Sequence, residues 1–347
     1  MKEYSIGPIA GKALKLRYAA ISTFLGGDTF DPINGFDIFI DLNVLVSSLS
    51  TSAKFLNSLP FSDGDAVERD LISNVLSVVK HWKGFTSKYN DTRIFLMVND
   101  FEMAGLPEQN IIKSYMMPYI NKFEQERFAQ FNYFWTEAMK RVEIILKYVP
   151  KSYLIRCNRV DNYIIPNIVD DYSKNGRFRL IISGAPIMTT YMLEPNTKVI
   201  LSKFNHQLSD PTMICQSVSS ISDEIMNTFV QNKVFYSLLN SVIGDFDRGI
   251  IGITQLGISS FANDLLRAVE RGEIPSDPKS IESVLPIINT GYHDYIKKAY
   301  QLIDISSHTQ LIPPSIIEKI KSNMIDLYDI DGLQSLSVDG MNLIELL

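Results

Sequence analysis

Short apolar runs rich in β-branched residues alternate along this chain with segments whose apolar residues fall at helical spacing. Residues 36–49, FDIFIDLNVLVSSL, read as a buried strand that carries Asp41 and leads into a loop or helix. Four further runs predict strands: TRIFLMVND (92–100), SYLIRC (152–157), RFRLIIS (177–183) and TKVILSK (197–203). Between them, 71–85 and 133–149 have the spacing of amphipathic helices. Residues 160–176 read as a helix ending at Gly176, with Pro166 inside it to kink it or shift its start.

Strand and helix in alternation predict an α/β fold, a mainly parallel central sheet flanked by helices. Beyond about residue 210 the strands stop. Residues 220–244, 259–272 and 278–304 predict helices, and a last one opens on the prolines at 313 and 314. The expected organisation is an α/β domain over 1–210 and a helical C-terminal region over 211–347, with no internal repeat. Open parallel sheets place their sites beyond the carboxyl ends of the strands. Asp41, Asn99, Asp100, Asp161 and the turn at residues 184–187 are expected there.

Composition narrows the function classes. With 347 residues and 46% hydrophobic content the chain can bury a sizeable core. Its net charge of −6 argues against extensive phosphate contact. Cys157 and Cys215 form no disulfide framework and read as reduced thiols of a cytoplasmic protein. His81, His206, His293 and His308 lack metal-ligand spacing. The N-terminus does not read as a secretory signal, and no apolar run is long enough to span a membrane. No cofactor is expected.

Several short stretches, in order, resemble the flap endonuclease and 5′–3′ exonuclease superfamily, and within it the ribonuclease H of T-even phages. IFIDLNVLV resembles the family's first strand with its metal-binding aspartate, at Asp41, and RIFLMVND its second, with Asn99 where the family has an acid. NRVDNYIIPNIV is similar to the family's E-A-D-D helix start, and LIISGAPIM to its S-x-D-x-D strand end. VIGDFDRGIIGITQLGISSFANDLL resembles a G-D-x-x-D-N-I-x-G segment followed by a DNA-gripping helix–hairpin–helix-like motif, here 244–272.

The resemblance implies a PIN-like, flap-endonuclease-like fold and a cluster of carboxylates around two divalent metals, which favour oxygen ligands and clamp the phosphodiester. Only Asp41, Asp161 and Asp245 are retained; Asn99, Arg159, Asn162, Ala185, Ile187 and Arg248 stand where the family has acids. Asp100 and Asp247 lie one residue out of register. The implied protein is a pseudo-nuclease, its three remnant acids kept for structure, with no metal bound. The family's basic, strand-threading arch corresponds to residues 101–135, which here are rich in Met and aromatic residues. Tyr115, Met116, Met117, Tyr119, Phe123 and Phe128 read as core, as a surface for a protein partner, or as base-stacking groups. The expected function is an adaptor that holds other phage proteins in the cytoplasm of an infected bacterium, at a phage replication compartment. One alternative is a DNA-binding replication accessory acting through Arg248, Gly252, Gly257, Arg267 and Arg271, with weak affinity for DNA. The other is a residual metal-dependent nuclease.

Overall fold

The structure, a computed structural model, describes residues 35–42, 64–87, 89, 91–99, 122–157, 161–169, 177–183, 186–194, 196–201, 232–244, 250, 252–253, 257–288, 290–324, 337–338 and 341–342. Five parallel strands form the central sheet: β1 (Phe36–Asp41), β2 (Thr92–Asn99), β3 (Ser152–Cys157), β4 (Phe178–Ser183) and β5 (Thr197–Leu201). Their order is β3-β2-β1-β4-β5. The α/β expectation is met, and all five strand runs are strands.

β1 is central and buried at every position, which explains its near-continuous apolar sequence. Alternate residues serve opposite faces. Phe36, Ile38 and Ile40, with Leu96, Val98, Leu180 and Ile182, pack beneath α1 (Gly64–Thr86) and α2 (Lys122–Leu146). Leu71, Val75, Val78 and Trp82 on α1, and Trp135, Met139 and Val142 on α2, recur every three or four residues and are buried in this layer. Both helices are longer than their apolar spacing predicts, because their first turns carry polar residues. α2 also ends before the expected residue 149.

The second face carries Phe39, Phe95, Met97, Ile155, Ile181 and Val199. Phe39 stacks on Phe95 at 4.8 Å between ring centroids. This face is covered by the short α3 (Ile165–Ile168) and by α6 (His293–Ile303), α7 (Ile305–Leu311) and α8 (Pro314–Ser322). A third cluster joins α4 (Lys233–Ile243), α5 (Ile258–Glu270) and the inner face of α6.

Two helix expectations need correction. Residues 160–176 do not form one helix. A 3-10 turn over Asp161–Ile164 precedes α3, which begins beside Pro166; the rest of that segment, 170–176, lies outside the described residues. Asp161 therefore does not cap α3, whose N-cap is Ile164 without a side-chain bond. Residues 278–304 contain three 3-10 turns, at 281–283, 285–287 and 290–292, before α6. Ile281, Val284 and Ile288 have helical spacing and are buried, but Pro286 lacks the N–H that an α-helix would direct to the Glu282 carbonyl, and the segment closes in short 3-10 turns instead. Residues 122–135, expected within an arch-like insertion, are the opening of α2, and Trp135 is fully buried. A small antiparallel pair, β6 (Ser337–Val338) with β7 (Met341–Asn342), was not anticipated, although Asp339-Gly340 between them is a hairpin-turn dipeptide.

Candidate functional site

The strand order fixes where a site belongs. From β1 the chain steps outward through β2 to β3, then returns to β4 on the other side of β1 and continues to β5. The direction reverses between β1 and β4, and the crevice beyond their carboxyl ends is the usual ligand position in open α/β sheets. Asp41, the last residue of β1, stands there. Its side chain is buried, 1% exposed, and Oδ2 accepts the hydroxyl of Ser183, the last residue of β4, at 2.5 Å. The bond spans the switch point. Ser183 was not singled out in the sequence, although it ends the LIIS run and the pairing of Ile40 with Ile182 brings it beside Asp41.

Around Asp41 the described backbone places Asn99 and Cys157 opposite one another at the ends of β2 and β3, and Asp161 at the start of the turn after β3. Ile187 lies in the 3-10 helix Pro186–Leu193 that follows β4. The remaining residues expected here, Asp100, Arg159, Gly184 and Ala185, lie outside the described residues. So do Asp245, Asp247 and Arg248. Among the described residues no three His, Cys, Asp or Glu side chains gather into a metal-holding group.

The candidate nucleic-acid residues separate into different roles. Gly252 packs against the end of α4: a Cβ there would lie 2.0 Å from the Ile243 carbonyl oxygen. Gly244, with φ of +83°, meets Gly252 from the other side, and the Ile253 amide donates to the Val242 carbonyl at 2.8 Å. The two glycines thus allow two backbones to cross. Gly257, with φ of +57°, precedes α5, and its position would admit a Cβ, the nearest neighbour being Ser260 Cβ at 3.8 Å. Arg267 and Arg271 are exposed, each beside an acid: Arg267 lies 4.0 Å from Asp264, and Arg271 binds Glu273 through two nitrogens at 2.7 and 2.9 Å. Hydrogen bonding to Arg271 holds the Glu273 carboxyl below its ordinary range. With Glu270 also exposed, this surface mixes both signs instead of presenting a basic face.

Of the aromatic and Met candidates, Tyr115, Met116, Met117 and Tyr119 lie outside the described residues, and Phe123 and Phe128 are placed only as backbone of α2. The end of the same segment is described. Trp135 is fully buried, whereas Tyr133 is 64% exposed. Ile144, three turns further along α2, is 48% exposed on the same side of the helix.

The opposite, amino end of the sheet holds a charge network that sequence reasoning missed. Asp37, fully buried in β1, accepts from Arg177 Nη2 at 2.7 Å and from Arg93 Nε and Nη2 at 2.9 and 2.5 Å. Arg177 also donates through Nη1 to Asp91 at 2.5 Å, and Lys151 reaches the other Asp91 oxygen at 2.9 Å. Hydrogen bonds from Lys151 and Arg177 lower the Asp91 carboxyl from 3.8 to about 2. The signal in the sequence was Asp37 itself, an acid inside an apolar strand, which must be paired when buried. Among the described residues no helix is long and apolar enough to cross a membrane.

No family model matches the chain, and no curated protein matches it. Solved structures do. T5 5′-exonuclease with bound zinc is similar over 85% of this chain and 100% of its own, at 13% identity and a TM-score of 0.49. A T5 protein co-crystallised with metal ions is similar over 84% of this chain and 98% of its own, at 11% identity and a TM-score of 0.48. A mutant T5 5′-exonuclease is similar over 85% and 99%, at 11% identity and a TM-score of 0.43.

Proposed function

We propose that this chain uses a nuclease-like scaffold for binding and not for cutting: a non-catalytic adaptor that holds other phage proteins during infection, at a replication compartment in the bacterial cytoplasm. The observation that carries the reading is Asp41. A divalent ion needs carboxylate oxygens turned toward it and, for magnesium, room for several waters. Asp41 is instead desolvated, with one oxygen engaged by the Ser183 hydroxyl across the β1–β4 junction. That is the environment of an acid that ties two strands together. The departures at Asn99, Arg159, Ala185 and Ile187 support the same reading.

Binding of a protein partner is supported by the face of α2 that carries Tyr133 and Ile144. These side chains lie on one side of the helix, roughly 16 Å apart along its axis. Aromatic residues are enriched among the anchors of protein interfaces. The experiment is recovery of co-purifying phage proteins from infected cells, using the tagged full chain and its Tyr133→Glu, Ile144→Lys double variant. The reading expects the variant to fold with the parent's thermal stability and to lose a partner that the parent recovers. Recovery of the same proteins by both rejects this face. Recovery of DNA with a steep salt dependence would transfer the function to the accessory reading.

A further inference from the structure

Between Tyr133 and Ile144 the same side of α2 carries Glu137 and Lys140, whose side chains are each 38% exposed and are joined at 2.8 Å. At 3.6 residues per turn the four positions fall within about 60° of one another around the helix axis. Their order is symmetric in size and charge. The midpoint between Tyr133 and Ile144 is also the midpoint between Glu137 and Lys140, and it falls between Ala138 and Met139. The stripe is therefore its own complement about a two-fold axis at that point. We propose, resting on the reading of this face as protein-binding, that its occupant is a second copy of this chain, packed antiparallel.

Antiparallel packing sets Tyr133 of each copy level with Ile144 of the other, and Glu137 of each level with Lys140 of the other. An isologous contact requires this kind of self-complementarity, in which one residue meets a second and the second meets the first. Parallel packing in register would instead set Glu137 on Glu137 and Lys140 on Lys140. An unrelated partner gains nothing from the symmetry. Of the four large hydrophobic side chains exposed among the described residues, Tyr133 and Ile144 are the two that share a helix face. A single helix face of this length buries well under the roughly 1,200 Å² at which stable interfaces begin, so the pair belongs to the weak, reversible class. The net charge of −6 on each copy opposes association, but it is screened beyond about 8 Å at physiological ionic strength.

The test is sedimentation velocity of the purified full chain at physiological ionic strength, over concentrations on the order of 1 to 100 μM, where weak pairs assemble. The mass should rise from 39.3 kDa toward twice that value. Glu137→Lys and Lys140→Glu each set like charges level with one another across the pair, and each alone should weaken association about tenfold or more. Both sites are partly exposed, so each variant should keep close to the parent's melting temperature. An equimolar mixture of the two variants sets lysines opposite glutamates and should restore association. A parent that stays at 39.3 kDa throughout, variants that associate as the parent does, or a mixture that fails to recover overturns the proposal. A monomeric parent that still recovers a phage protein lost by the Tyr133→Glu, Ile144→Lys double variant overturns only the choice of occupant. A monomeric parent whose double variant recovers the same proteins removes the reading of the face as well.

Discussion

Replacing Asp37 by asparagine keeps the shape of the side chain and removes its charge. The structure says what is then left behind. The Arg177 side chain is 8% exposed and keeps its bonds to the Asp91 carboxylate and carbonyl, but loses the Asp37 carboxylate that faces its Nε and Nη2. Arg93 loses one of its two bonds to Asp37, because the asparagine keeps a single acceptor oxygen and turns an NH2 donor toward the guanidinium, but at 23% exposure it can turn toward water. Breaking a buried pair by removing one partner costs about 3–5 kcal/mol, and the bonds that Arg177 retains place this case near 3 kcal/mol. Urea unfolding at pH 7 is the assay, and the lower midpoint should come with an unchanged slope. Asp37→Leu combined with Arg177→Met removes both charges and should recover at least half of the loss, since no buried charge remains unpaired. A loss below about 1 kcal/mol for Asp37→Asn would refute the view that this network holds the amino ends of β1, β2 and β4 together.

Three further outcomes follow from the same geometry. Because the folded Asp91 carboxyl titrates at about 2 instead of 3.8, its contribution is present above pH 4 and lost as pH falls from about 4 to 2. The group is 53% exposed, so acid titration of stability should show only a few tenths of a kcal/mol, absent in Asp91→Asn. Gly252→Ala should destabilise strongly by forcing apart the backbones that cross at Ile243, whereas Gly257→Ala should cost only about 1–2 kcal/mol for its left-handed conformation; urea unfolding separates them. Trp135→Ala should cost about 3–5 kcal/mol, while Tyr133→Ala should stay within about 0.5 kcal/mol of the parent by the same measurement.

The sheet was legible because five apolar, β-branched runs had no other use than a sheet buried on both faces. Proline explains much of what was not. Pro286 broke a segment whose burial spacing is helical into 3-10 turns, and Pro166 delayed the start of α3. At the candidate site, the sequence placed Asp41 correctly at the end of β1 but could not supply its partner. Ser183 is 142 residues away, and only the β1–β4 register joins the two. The Asp37 network is non-local in the same way: its acids and arginines come from β1, the start of β2 and the residue before β4. Spacing along the chain carries no trace of such pairs. The buried charge at Asp37 was visible; its counter-ions required the fold.

The claim that the Asp41 crevice does not cut nucleic acid is tested most directly by incubating the purified full chain with magnesium or manganese and flap, nicked or RNA–DNA substrates. Asp41→Asn serves as the matched control, since it preserves the side chain's shape at the β1–β4 junction. The account predicts no metal-dependent cleavage by either protein. Cleavage by the parent that chelation abolishes and Asp41→Asn lacks, with the variant still folded, would contradict it and make Asp41 a metal ligand of a working nuclease.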